Sequence, residues 1–356
     1  MAKHKLFKRA LGLAAVGGAS YLAVGEFFHS QILSRKAGSL GLPSIPAENI
    51  LMGIPPEAQL SRWDELMVKI VGGDNAIGNF FAKSYFSIYQ EGVKWYLEKK
   101  PEKVTTVSSR GARIHADRIV NEKPSNVWAI SIHGYSSGPR DMGGIAQMFD
   151  AWGYNTLLPH LCGHGESEDD NVSMGWLDRI DILAWIDYLN REYDDPQIIL
   201  HGISMGGATV MMTTGEPLPD NVVCAIEDCG YSSVWDEFEV QAKDTLHLGS
   251  LTPIGLSALD AAVRRHSGFS TKEASSVEQL KKSKTPTLFI HGDADLFVPF
   301  WMLQIVYDAA ACEKEMLVVP GAEHAEAAYE QELYHGTIKR FIDKYLTAQA
   351  KADVSA

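Results

Sequence analysis

From Val104 onward the chain alternates short apolar runs with stretches whose apolar residues recur at helical spacing. The runs Val104–Ser108, Arg113–Val120, Val127–His133, Asn155–Pro159, Gln197–His201, Val222–Asp228, Thr287–His291 and Met316–Val319 predict eight strands. Ser109-Arg110-Gly111 separates the first two, which predicts an antiparallel opening pair. Helical spacing predicts helices over Asp141–Ala151, Trp176–Arg191, Met205–Thr214, Met302–Ala311 and Ala327–Leu346. Such alternation belongs to α/β proteins with a mostly parallel sheet covered on both faces. In those sheets, function gathers at the carboxyl ends of the strands. The stretch 232–284 interrupts the rhythm with two helical patterns, Val234–Leu246 and Leu256–His266, and reads as a helical cap over the site. Its apolar residues Trp235, Phe238, Leu246 and Ile254 are expected to pack inward.

Upstream, the pattern is different. Lys3, Lys5, Lys8 and Arg9 precede an uncharged run, Ala10–Gly25, which ends at Glu26. A spanning helix needs about 20 apolar residues, so residues 1–33 read as a short signal-anchor or as a signal peptide with a cleavage site at Ala23-Val24-Gly25, with a buried amphipathic helix of the domain as the alternative that the dense basic flank and uniform apolar character disfavour. The basic flank stays on the cytoplasmic side and places the rest outside. The expectation is a catalytic domain held outside the cell membrane by this segment, or secreted after cleavage. Residues 34–103 read as a linker and helical extension, with patterns at Pro56–Val71 and Asn75–Lys99. In the second, Phe81, Tyr85, Phe86 and Tyr89 are expected to pack on the main domain. The catalytic domain is expected over 104–346, with a tail at 347–356.

Composition narrows the chemistry. A net charge of −13 over 356 residues would repel a phosphate backbone, so nucleic acid is not an expected partner. Cys162, Cys224, Cys229 and Cys312 form no CxxC pair and read as thiols, with Cys224 and Cys229 on opposite faces of one strand.

The chemistry concentrates in Gly202-Ile203-Ser204-Met205-Gly206, which leaves an apolar strand and enters a helix. A serine in so sharp a turn presents its hydroxyl at the sheet edge, and the flanking glycines relieve crowding. A serine hydroxyl needs a base, and the base needs an orienting acid. Asp295, in His291-Gly292-Asp293-Ala294-Asp295, and His324, in Gly321-Ala322-Glu323-His324, each follow a strand in the required chain order. Asp293 is the reserve acid or a loop cap. An oxyanion site takes two backbone N–H groups, assigned to Met205 and, from the loop His133-Gly134-Tyr135-Ser136-Ser137, to Tyr135.

Val104 to Leu346 resembles the α/β-hydrolase superfamily. The segments His133-Gly134-Tyr135-Ser136-Ser137, Met174-Gly175-Trp176, Glu227-Asp228-Cys229-Gly230-Tyr231 and Leu288-Phe289-Ile290-His291-Gly292-Asp293 resemble membrane-anchored bacterial cell-surface hydrolases within it. The resemblance implies an α/β-hydrolase fold and esterase- or peptidase-like serine chemistry without a cofactor. The chain departs from the pattern at His160-Leu161-Cys162, where relatives often carry Asp-x-Arg before Gly-His-Gly.

The expected reaction is cleavage of carboxylic esters, with peptide or amide bonds as the alternative on the same three residues and a silent surface-binding module as a reading of another class. Dehalogenase and epoxide hydrolase chemistry is disfavoured by a serine in place of an aspartate. His133, His201 and His291 read as packed histidines. His160, Cys162 and His164, with Glu166 nearby, lack a further ligand cluster, and no metal is expected. Glu166, Glu168, Asp169 and Asp170 read as a solvated acidic loop or as a screen against anionic substrates.

Overall fold

The structure is a computed structural model that describes residues 21–30, 32–35, 85–245 and 248–355, without the side chains of 244, 245 and 347–355. The helical pattern expected at Pro56–Val71, most of the leader, Phe81 and Leu246 lie outside the described residues. The described chain begins with helix α1, residues 21–30, and continues with α2, Tyr85–Lys99.

All eight strands are present, with ends that differ from expectation by only a few residues. They are β1 Glu102–Val107, β2 Arg113–Ile119, β3 Val127–Ile132, β4 Asn155–Pro159, β5 Gln197–Ile203, β6 Val222–Asp228, β7 Thr287–Gly292 and β8 Lys314–Val319. They form one sheet in the order β1-β2-β4-β3-β5-β6-β7-β8. β1 and β2 pair antiparallel, as do β2 and β4, and every other pair is parallel. This is the α/β-hydrolase fold.

Helices α3 Gly143–Ala151, α4 Asp178–Glu192 and α5 Met205–Thr214 connect the central strands. Two hydrophobic clusters lie on opposite faces of the sheet. One holds Trp128, Trp185 and Phe289, and the other holds Phe149, Tyr334 and Phe341. Adjacent positions Trp128 and Ala129 point to opposite clusters, as side-chain alternation requires. α2 packs on α3 where two glycines meet: a Cβ on Gly143 would land on the Gly92 carbonyl. Tyr85 and Phe86 are buried as expected, while Tyr89 is half-buried and donates to Asp141 at 2.6 Å.

The cap comprises α6 Val234–Val240, the π-turn Gln241–Thr245, α7 Thr252–Ser267 and α8 Ser276–Leu280. Helix α6 stops earlier than its apolar pattern because the backbone widens to π spacing at Gln241. Phe238 is buried and Trp235 half-buried under Lys272. Ile254 corrects the expectation, since it lies 59% exposed at the start of α7. Helices α9 Trp301–Ala309 and α10 Gln331–Ser355 complete the fold.

Candidate active site

Ser204 lies between β5 and α5 with φ 59° and ψ −118°, a backbone conformation that costs an L-residue energy and persists only where its surroundings enforce it. The surroundings are backbone. A Cβ on Gly202 would land on the Gly206 carbonyl, and one on Gly206 would land on the Ile132 carbonyl, so the turn closes only with glycine at both places. The Ser204 N–H donates to the Asp228 carbonyl at 2.7 Å, which ties the turn to β6.

The order β5-β6-β7-β8 then sets three loops side by side. His324, after β8, accepts the Ser204 hydroxyl at Nε2 over 2.9 Å and donates from Nδ1 to Asp295 Oδ2 over 2.8 Å. Asp295, after β7, is buried, and its Oδ1 accepts the N–H groups of Phe297 at 2.9 Å and Val298 at 3.0 Å. Burial alone would raise the Asp295 pKa, but the His324 charge and the donors His291 and His324 outweigh it and hold it at about 2. Burial likewise works to lower the His324 pKa, yet the charge and hydrogen bond of Asp295, with Glu237 and Asp228 behind them, shift it upward. Asp293 is elsewhere: it accepts the Gly321 N–H at 2.6 Å and ties the two loops together.

The loop after β3 runs beside the serine. A Cβ built on Gly134 would sit 3.5 Å from the Ser204 Cβ, so the loop that carries Tyr135 borders Ser204. Among the described residues no acceptor takes the Tyr135 or Met205 N–H. The Tyr135 hydroxyl donates to the Ile32 carbonyl at 2.6 Å. Residues 32–35 thus form a strap over this loop: Val172 N–H donates to Leu33 at 2.7 Å, Arg35 N–H donates to the Asp170 carbonyl at 2.6 Å, and Leu33 is buried. α1 lies on α7, with Glu26 paired to Arg265 and His266, and Tyr21 bonded to Ser257.

The other expected histidines have structural partners. His133 takes the Leu161 N–H, His201 spans Ser131 and Tyr334, and His291 meets the Val298 carbonyl and Asp295. Burial pushes the His201 pKa down to about 3. His160, Cys162 and His164 do not converge. His160 faces Asp117, His164 Nε2 accepts the Ser136 N–H at 3.0 Å, and Cys162 lies 3.3 Å from the Arg110 guanidinium. Arg110 also bonds Asp181 at 2.6 Å, so of the group Cys162, Asp178 and Asp181 two members already face a cation, while Asp178 accepts the Cys162 N–H at 2.7 Å.

The acidic loop is not a free negative field, because Glu166 pairs with Lys103, Glu168 with Arg113 and Asp169 with Arg110. All four cysteines are free. Cys229 lies past the end of β6 at φ 47°, and its sulfur shares a 4.8 Å neighbourhood with Asp295 and His324. Sequence reasoning missed Cys229, Phe297 and Glu237. Phe297, two residues past Asp295, lays its ring 4.8 Å from that of His324. Glu237 carried a usable signal, since in α6 it shares a helical face with Val234, Phe238 and Gln241.

Residues 141–349 match the model of the prolyl oligopeptidase family, more than half of the chain. The chain belongs to the prolyl oligopeptidase family. Membership makes it a serine hydrolase of the α/β fold. Similar proteins include the uncharacterised YqkD of Bacillus subtilis, 24% identical with 60% of this chain and 70% of the relative covered. Another is the α/β-hydrolase domain-containing protein WAV2 of Arabidopsis thaliana, 25% identical over 71% and 82% of the two chains. Among solved structures, an esterase of Pyrococcus furiosus is similar at a TM-score of 0.58 and 19% identity, covering 70% of this chain and 92% of that one. An acetyl xylan esterase of Paenibacillus is similar at a TM-score of 0.53 and 15% identity, covering 73% and 93%. These two likenesses establish the fold alone.

Proposed function

We propose that the protein cleaves carboxylic esters through an acyl-enzyme formed on Ser204. His324 takes the hydroxyl proton as the oxygen attacks the carbonyl and returns it to the leaving alcohol. Asp295 holds the imidazole in the tautomer that leaves Nε2 free to accept. The N–H groups of Tyr135 and Met205 receive the developing oxyanion. Water then repeats the sequence and releases the acid, so the reaction calls on no cofactor. The single observation that supports this reading is the unbroken chain Ser204–His324–Asp295, with contacts of 2.9 Å and 2.8 Å, at a strained strand-to-helix turn.

The test is labelling by a serine-directed fluorophosphonate together with turnover of p-nitrophenyl esters. Ser204→Ala is expected to abolish labelling and lower kcat by at least about 1,000-fold. A variant that keeps both overturns the mechanism. Peptide-bond cleavage on the same residues is the second reading, favoured by the match to the prolyl oligopeptidase family. Aminoacyl anilides run beside the esters separate the two.

Membrane attachment through the N-terminal segment is the second part of the proposal. It rests on the basic cluster Lys3 to Arg9 and the apolar run behind it. Among the described residues no helix is long and apolar enough to cross a membrane.

A further inference from the structure

Cys229 stands beside the residues of the reaction, and the reaction as proposed gives it no task. It follows β6 directly and is 1% exposed. Its N–H donates to the Ile290 carbonyl of β7 at 2.9 Å, which fixes its backbone between the two strands. Its sulfur takes a hydrogen bond from the backbone of Ala325, the residue after His324. One ligand atom each from Cys229, Asp295 and His324 lies within 4.8 Å of the other two. Sulfur, carboxylate oxygen and imidazole nitrogen are the donors that tetrahedral zinc takes, whereas magnesium and calcium ask for oxygen throughout.

The surroundings meet the demands of a metal centre. In a zinc site the ligand atoms lie about 3.4–3.6 Å apart, so the group has to draw together by little more than about 1 Å at its widest. Asp295 Oδ1 is held by the Phe297 and Val298 N–H groups, which orient the carboxylate from behind and leave Oδ2 to face the imidazole. Asp228 is buried and acts, together with Asp295, on that imidazole, so two carboxylates favour a dication there. The His324 side chain is 21% exposed, which gives an ion a way in from solvent.

We propose that Cys229, Asp295 and His324 form an inhibitory site for a divalent cation, zinc by its donor set, which shuts the enzyme off by taking the base away from Ser204. The effect on turnover rests on the serine-hydrolase reading above, and the site itself does not. Binding forms bonds from zinc to sulfur, oxygen and nitrogen, breaks the thiol S–H bond and releases that proton to solvent, with no electron transferred. Either ring nitrogen gives the same result. On Nε2 the ion occupies the lone pair that receives the Ser204 proton. On Nδ1 it drives the ring proton to Nε2, which then donates and no longer accepts.

The experiment titrates zinc, in a buffer that does not chelate it, against p-nitrophenyl ester hydrolysis by the full-length protein. Wild type is expected to lose half its activity at about 10 μM free zinc or less and to recover it with EDTA, while magnesium and calcium at about a hundredfold higher concentration leave it active. In Cys229→Ala the half-inhibiting zinc concentration is expected to rise at least about tenfold, and reading each protein against its own zinc-free rate cancels any loss of active fraction. A wild type insensitive to zinc, or a Cys229→Ala inhibited at the wild-type concentration, overturns the proposal. If Cys229→Ala does not fold, wild type decides alone: cobalt(II) is expected to give a thiolate-to-cobalt charge-transfer band that grows in step with inhibition, and inhibition without that band overturns the proposal. The band reads the site without turnover, so a wild type that shows it but lacks fluorophosphonate labelling and all ester turnover would instead overturn the hydrolase reading.

Discussion

Asp295 shows how much rests on one side chain. Its carboxylate is held by two backbone N–H groups and two histidines, which keeps it ionised far into acid and lifts the His324 pKa above the ordinary histidine value. With His324 as the neutral base of the proposed reaction, the acid limb of kcat/KM is expected above pH 6.5, the ordinary histidine value. Asp295→Asn removes the charge that raises it, so the limb moves to lower pH and kcat falls by about 1,000-fold or more. A pH profile of ester hydrolysis checks both, and an unmoved limb would separate Asp295 from the titration. Glu237 makes the opposite contribution to stability. Its folded pKa of about 8 exceeds the ordinary 4.5, so its stabilisation is complete below pH 4.5 and gone once pH has risen through about 8. Tm of Glu237→Gln is therefore expected to decline less than that of wild type between pH 5 and 8, measured by calorimetry.

Among the elements, the strand–turn–helix unit around Ser204 tolerates least. Gly206→Ala sets a Cβ on the Ile132 carbonyl, backbone that cannot step aside, and is expected to cost about 2 kcal/mol or more in urea unfolding. The strap is the less obvious element. Leu33 is 1% exposed in the larger core cluster, so Leu33→Ala is expected to cost about 2–4 kcal/mol, read from the urea midpoint. A change under about 0.5 kcal/mol would mean the strap is not docked. Local pattern located the unit around Ser204 because a strand, a tight glycine turn and a helix are each recorded in consecutive residues. The docking of 32–35 onto the loops of Tyr135 and Asp170 left no such record, since its partners lie more than 100 residues away.

For the whole molecule, the docking of α1 bears on attachment. With α1 seated on the cap, the apolar residues Ala10–Ser20 remain. Eleven residues of helix extend about 16 Å, roughly half the hydrocarbon thickness. Full spanning and a docked α1 therefore exclude each other. If the N-terminus attaches the protein, fractionation should find the full chain in membranes and a chain lacking residues 1–20 released from them, with ester turnover retained in the released form. Equal partitioning of the two forms would leave membrane attachment by this segment without support.

By itself the sequence determined the strands and the alternation that makes the sheet parallel, and it set Ser204, Asp295 and His324 in that order after three of those strands, because strand and helix periodicity and the tight turn are local physics. Tertiary structure decided what depends on partners distant in the chain. It set Asp295 rather than Asp293 against His324, because neighbouring strands β7 and β8 bring those loops together at a fixed register. It paired the acidic loop with Arg110, Arg113 and Lys103, where a run of charges alone reads as solvated. It also buried Glu237 under the cap, where its carboxyl accepts the Gln241 amide, because the face a cap helix turns inward is fixed by the domain it covers.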